Sequence, residues 1–262
     1  MIGIIGGGNM GEALAKGLLK NEKKIIICEI SKERREYLKK EFDVEITGNL
    51  HELLKKSEII IFAVKPQVID KVLEDVKNSK IEITDKLFIS IAAGVKIEKF
   101  EKYLGKDKKI IRVMPNTCAF VLESMSALSP NKNVKKEELE KALNIFNSIG
   151  ETVVVEENYL DAITGLSGSG PGFIALIFEA FSDAGVNVGL PRDIVNKLIL
   201  QTFYGTIKLI KETGKSFIDI KNMVTSPGGT TIAGIHELEK GGLKGIIMNC
   251  IKRATDRSKE LS

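Results

Sequence analysis

Residues 1–21, MIGIIGGGNMGEALAKGLLKN, decide the reading of this chain. A short apolar run, MIGII, ends in a cluster of glycines, and a helical pattern starts at once. Gly6-Gly7-Gly8-Asn9-Met10-Gly11 has the spacing G-x-G-x-x-G. In that frame Gly6 permits the tight turn, Gly8 lets a pyrophosphate approach the backbone, and Gly11 lets the helix pack closely on the sheet. The first N–H groups of the helix then face the phosphates. Glycine-rich turns are common, so the spacing alone says little. The strand before it and the helix after it give it meaning.

Outward from this stretch the same alternation continues to about residue 155. The apolar runs are KIIIC (24–28), EIIIFAV (58–64), KLFISIA (86–92), KIIRVM (109–114) and TVVV (152–155). They are rich in Ile and Val without polar alternation, as in strands buried on both faces. Amphipathic stretches such as KERREYLKKEF (32–42) lie between them. Strand and helix in turn predict an α/β, Rossmann-type, doubly wound parallel sheet over residues 1–155.

The second run ends at Cys28-Glu29, and Glu29 stands where an acidic residue takes the ribose hydroxyls of NAD. A carboxylate there repels a 2′-phosphate. Ser31, Lys32, Arg34 and Arg35 follow, and any of them could receive that phosphate or simply form a solvated helix face. The choice between NADPH and NADH stays open. Two further loops follow strands, where open α/β sheets bind ligands. They are AVKPQ (63–67), with the cation Lys65, and SIAAGV (90–95). Pro66 has a plain structural reading as a helix-start residue.

From residue 156 to 262 the period becomes that of helices. FIALIFEAFSDAGVNVG (173–189) is apolar over much of its circumference, which predicts burial among other helices. DIVNKLILQTFYGTIKLIKETG (193–214) is a second helix, started by Pro191 and stopped by Gly214. Such a helical domain is expected to share a core with a twin in a homodimer. Two glycine-rich turns, GLSGSGPGF (165–173) and SPGGTT (226–231), each precede a helix. They are read as displaying N–H groups to a small anion. Thr230 and Thr231 add hydroxyls that donate and accept.

Composition sets the outer limits. Hydrophobic residues make up 43% and charged residues 28%, enough for an ordinary globular core. The net charge of +4 is too small for a nucleic-acid partner, and no basic stripe with interleaved aromatics occurs. Three scattered cysteines and two histidines predict neither a disulfide framework nor a metal site. The opening lacks the positive region of a signal peptide. No apolar run approaches the ~18 residues of a membrane span. These features predict a cytoplasmic protein with no membrane partner.

Several segments, in this order, resemble the pyrroline-5-carboxylate reductase family along essentially the whole chain. They are IGIIGGGNMGEALAKGL, AVKPQ, SIAAGV, IRVMPNT, DAITGLSGSGPGF, DAGVNVGLPR and VTSPGGTTIAGIHELEKGG. The resemblance implies a Rossmann domain with an all-helical dimerisation domain. It implies reduction of L-1-pyrroline-5-carboxylate to L-proline by NADPH or NADH, in a homodimer or a larger ring of dimers. As implied cofactor contacts it gives Gly6, Gly8, Asn9, Met10, Gly11, Asn49, Ala63, Val64, Lys65, Pro66, Ala92 and Ala93. Glu29 and Ser31 join these from the reading above. As substrate contacts it implies Glu157, Gly228, Gly229, Thr230 and Thr231, with Thr231 hydrogen-bonding the ring nitrogen. Cys118, Ser124, Gly172 and Met223 depart from the family pattern.

The chemistry expected is hydride transfer to a cyclic imine that binds already protonated, so no strong protein acid is needed. His236, five residues beyond Thr231, and His51 are read as structural and surface residues. Another imine reductase or a β-hydroxyacid-type reductase is a second reading. The latter needs a lysine that GSGPGFIALIFEAFSDAG lacks. A nucleotide-responsive binding module without turnover is a third.

Overall fold

The structure, a computed structural model, describes residues 1–21 and 23–261. The strands are β1 (Ile2–Ile5), β2 (Ile25–Cys28), β3 (Glu45–Thr47), β4 (Ile59–Phe62), β5 (Leu87–Ser90), β6 (Lys109–Met114), β7 (Ser124–Pro130) and β8 (Gly150–Val154). They form one sheet in the order β3-β2-β1-β4-β5-β6-β7-β8. The order reverses direction at β1, so a crevice opens at the carboxyl ends of β1 and β4.

Neighbouring residues of β1 point to opposite faces, and both faces are apolar. Ile4 joins Leu14, Leu18 and Ile27 in one core layer. Ile5 joins Ile26, Phe62, Phe88 and Phe100 in the other. The Phe62 and Phe100 rings meet edge-on at 5.2 Å. The helices that cover these layers are α1 (Asn9–Lys20), α2 (Lys32–Glu41), α3 (Leu50–Lys56), α4 (Ile69–Asn78), α5 (Ile97–Leu104) and α6 (Lys136–Asn147).

Two strands were not anticipated from sequence, and one expectation of direction fails. β3 has three residues, two of them polar. β7 reads SMSALSP and lacks the Ile/Val signature, yet Ser124, Ser126 and Ser129 are all buried in it. It runs antiparallel to β6, so the sheet is not purely parallel. β8 does not share the double burial of the inner strands: Val153 and Val154 are exposed. It pairs with β7 alone and lies at the sheet edge.

The chain forms two compact units, residues 1–171 with 252–262, and residues 172–251. The remaining helices are α7 (Leu160–Ile163), α8 (Gly170–Asn187), α9 (Arg192–Thr213), α10 (Phe217–Met223), α11 (Thr230–Lys240) and α12 (Leu243–Glu260). α9 is bounded as its sequence predicts, with Pro191 at its N-cap and Gly214 at its C-cap in the left-handed region, φ 64°. In the second unit Phe178 and Phe181 each meet Phe203 edge-on, at 4.5 and 5.2 Å. Arg192 donates to Ser182 and Asp183, and Ser182 donates to Asn196.

Three expectations about the helical region need correction. α8 is not buried within one chain; Ser182 is its only buried residue, while Ile174, Leu176 and Phe181 are exposed. The turn at 165–169 does not open a helix. It is a π-helical turn (Thr164–Gly168) in a helical run, where Ser169 N–H donates to Thr164 O at 2.8 Å. Its amides are therefore used inside the helix. The helical run Glu157–Asn187 is also long and apolar enough, by length and composition, to cross a membrane. Splitting it at the Gly/Ser cluster hid that length in the sequence.

Candidate active site

The cradle at the carboxyl end of β1 is built by close approach. Gly6 has φ 103°, a conformation that L side chains rarely adopt. A Cβ on Gly11 would lie 2.1 Å from Gly6 O, so the turn closes only on glycine there. Gly8 is the N-cap of α1 with no side-chain cap, and the first amides of the helix are left to a ligand. Asn9 and Met10 begin that helix, and Met10 packs against the core below.

Glu29 follows β2 and closes the cradle from the side. Its Oε2 accepts Gly7 N–H and its Oε1 accepts Ser31 N–H, both at 2.8 Å. Ser31 caps α2 by accepting from Arg34 N–H. The two arginines that could meet a 2′-phosphate are engaged by other groups of the chain. Arg34 Nε donates to Gly7 O at 2.6 Å, and its guanidinium pairs with Glu12 and lies over the Tyr37 ring. Arg35 donates to Glu29 O and Ile30 O. Lys32 is strongly exposed.

The loops after β4 and β5 stand beside the cradle. A Cβ on Gly6 would come within 2.8 Å of Ala63 O, which puts the β1 and β4 loops in contact. Val64 and the exposed Lys65 lead into a short 3₁₀ turn with Pro66 at its start, so the structural reading of Pro66 holds. Ala92 is buried and Ala93 exposed. Asn49 is the N-cap of α3, its side chain accepting from His51 N–H at 3.0 Å. His51 and His236 are both exposed.

A cavity of about 570 Å3 lies in the same unit, lined by Pro66, Ala93, Thr164, Ser169, Arg257 and Ser258 among others. Sequence reasoning found Pro66 and Ala93 but not the wall from the end of α12, whose residues carry no motif. It also missed Arg112 of β6. The signal was present as a lone arginine inside the apolar run KIIRVM. Arg112 is buried and donates to Glu157 Oε1 at 3.2 Å. The same oxygen accepts Ile97 N–H at 2.8 Å.

The SPGGTT turn belongs to the second unit. Gly228 has φ 67°, Gly229 is the N-cap of α11 without a side-chain cap, and Thr230 and Thr231 form the first turn. The turn therefore ends in free-standing helix amides beside two hydroxyls. That is a fit for a carboxylate. Among the described residues no group of three or more His, Cys, Asp or Glu could hold a metal ion.

Sheet order, glycine cradle and acidic residue after β2 define a Rossmann-type dinucleotide-binding oxidoreductase fold joined to helices. Residues 1–94 match the family model "NADP oxidoreductase coenzyme F420-dependent", and residues 157–261 match "Pyrroline-5-carboxylate reductase dimerisation". The chain is 46% identical to a pyrroline-5-carboxylate reductase of Synechocystis sp. over 264 residues, 99% of this chain and 97% of the relative. A solved pyrroline-5-carboxylate reductase of Coxiella burnetii superposes with TM-score 0.94 at 35% identity, covering 100% of this chain and 98% of the other. The Plasmodium falciparum enzyme, solved with NADP bound, gives TM-score 0.87 at 34% identity over 99% of this chain and 97% of that one. The chain belongs to the pyrroline-5-carboxylate reductase family.

Proposed function

We propose that this chain transfers a hydride from NADPH or NADH to the C=N bond of L-1-pyrroline-5-carboxylate, giving L-proline, the last step of proline biosynthesis. The observation that carries the reading is the match to the Synechocystis reductase over nearly the full length of both chains. The hydride adds to the iminium carbon, the C=N electron pair moves to nitrogen, and the cofactor leaves oxidised. The imine brings its own proton, which suits a site without an acid–base dyad.

The residues take these roles. Gly6, Gly8, Asn9, Met10 and Gly11 receive the pyrophosphate at the start of α1. Glu29 and Ser31 meet the adenosine ribose. Asn49, which follows β3 on the same side of the sheet, lies at the adenosine end, and Ala63, Val64, Lys65, Pro66, Ala92 and Ala93 line the path to the nicotinamide. Gly228, Gly229 and Thr230 hold the substrate carboxylate, Glu157 contributes to the substrate site, and Thr231 orients the ring nitrogen. Catalysis is then mainly positioning, worth about 7–11 kcal/mol in well-oriented systems.

The functional division is a dinucleotide domain, residues 1–155, and a dimerisation and substrate domain, residues 156–262. The dimerisation model beginning at residue 157 supports it. The apolar faces of α8 and α9 are covered by a second copy rather than by lipid, and dimers can join into a ring in the cytoplasm. Incubation of the full chain with pyrroline-5-carboxylate and each reduced cofactor tests the reading. Nicotinamide absorbance should fall as L-proline accumulates. Stable absorbance with folded, cofactor-binding protein rejects it.

A further inference from the structure

Arg112 is a charged side chain set within the sheet of the first unit. It lies in register with Ser90 of β5 and Ser129 of β7, both buried, and its own side chain is 5% exposed. Nη1 donates to Glu157 Oε1 at 3.2 Å, and Nη2 lies 3.9 Å from Asp161 Oδ1. Each carboxylate has a second task. Glu157 Oε1 accepts the N–H of Ile97, the first residue of α5. Asp161 Oδ1 accepts from Ser258 Oγ, near the end of α12, at 2.8 Å. One guanidinium thus ties together the start of α5, the turn at 157–161 and the end of α12.

Stability alone is a poor reason for this arrangement. Burying an arginine is costly, and well-packed apolar side chains often serve a core as well. Of the tied residues Ser258 lines the cavity itself, while Ile97 and Asp161 stand three positions from Gly94 and Thr164 of its lining. Ile97 follows the loop that supplies Ala93 and Gly94. The turn at 157–161 leads into Thr164 and Ser169, and the end of α12 supplies Arg257 and Ser258. Arg112 thus holds, through two carboxylates, chain segments that lead into the lining of one cavity.

We propose that Arg112 is a positioning residue. Through Glu157 and Asp161 it sets the separation between the loop after β5 and the helical segments across the cavity, and so the fit of the substrate ring. The inference rests on the hydride-transfer reading above. Lysine keeps the charge but cannot reach two carboxylates with a planar fork. Arg112→Lys should therefore keep only part of the effect.

The test uses the full chain with Arg112→Lys and with Arg112→Met/Asp161→Asn. The double variant removes one charge of each sign and leaves Glu157 in place. It should raise KM for pyrroline-5-carboxylate by about tenfold or more with a smaller change in kcat. Arg112→Lys should fall between it and the unmodified chain, and the Kd for NADPH, from fluorescence titration, should stay within about threefold in both, because the pyrophosphate and ribose contacts at Gly6, Gly8, Gly11 and Glu29 are untouched. Hydrogen exchange should rise about tenfold in segments 157–168 and 254–261, while β1 and β4 keep their protection. An unchanged KM, or equal losses for substrate and NADPH, overturns the proposal. So does unchanged exchange in both segments. Exchange needs no turnover: if the unmodified chain fails to reduce pyrroline-5-carboxylate, the functional reading falls while exchange still decides whether Arg112 anchors the walls.

Discussion

Glu29 meets two backbone N–H groups, those of Gly7 and Ser31, before any ribose arrives. It therefore shapes the phosphate turn as well as offering a carboxylate to the sugar. Glu29→Ala should weaken NADH by about tenfold or more, the scale of hydrogen bonds to a charged group, and NADPH by less. Titration with both cofactors checks this, and equal losses remove the ribose role. Thr231→Ala should lower kcat by one to two orders of magnitude, roughly 1.4–3 kcal/mol, with cofactor affinity little changed. Steady-state rates equal to those of the unmodified chain would take Thr231 out of the mechanism. The glycines of the cradle were legible because their role is local: their spacing sits directly between a strand and a helix, and Gly6 and Gly11 fill places where a side chain would not fit. The partners of Arg34 and Arg112 were not, because a guanidinium's partners there depend on tertiary neighbours. Arg34 turned to Gly7 O and Glu12 across 27 and 22 positions of sequence.

At the scale of elements, α6 shows how a surface helix is fastened. Glu138 accepts Lys135 N–H at its N-terminus and pairs with Lys109 of β6 at 2.8 Å. The hydrogen bond from Lys109 holds the Glu138 carboxyl below its usual range. A carboxylate whose folded pKa is depressed adds stability above its unfolded value, about 4.3, and loses it as pH falls further. Acid unfolding followed by circular dichroism should therefore be shallower for Glu138→Gln than for the unmodified chain, with the two curves parallel if the pair contributes nothing. Long Ile/Val runs announced β1, β2, β4, β5 and β6. β7 escaped because its burial is carried by serines, and β3 because three residues give no period to read. The π turn at 164–168 escaped for a related reason: glycine and serine look like a loop until neighbouring turns close hydrogen bonds around them.

For the molecule as a whole, the helices of the second unit carry more apolar surface than one chain buries. Leu176 on α8 is 64% exposed and Leu198 on α9 is 54% exposed. Faces of this kind mark association surfaces, in keeping with the dimerisation model that spans them. Leu176→Glu should shift sedimentation toward the monomer. It should cut turnover by about tenfold or more while NADPH affinity stays within a few-fold, because a buried, unpaired charge is costly at an interface and the cradle belongs to the other compact unit. A dimer of full activity would show that this face is not the contact.

In the reaction proposed, hydride passes from the cofactor at the cradle to the carbon of a cyclic imine. Reaction with NADPH deuterated at the transferring C4 position, followed by mass and NMR analysis of the product, tests it directly. One deuterium is expected in each L-proline, on the ring carbon next to nitrogen that does not bear the carboxylate. Proline formed without the label, or cofactor oxidised without proline, would contradict it.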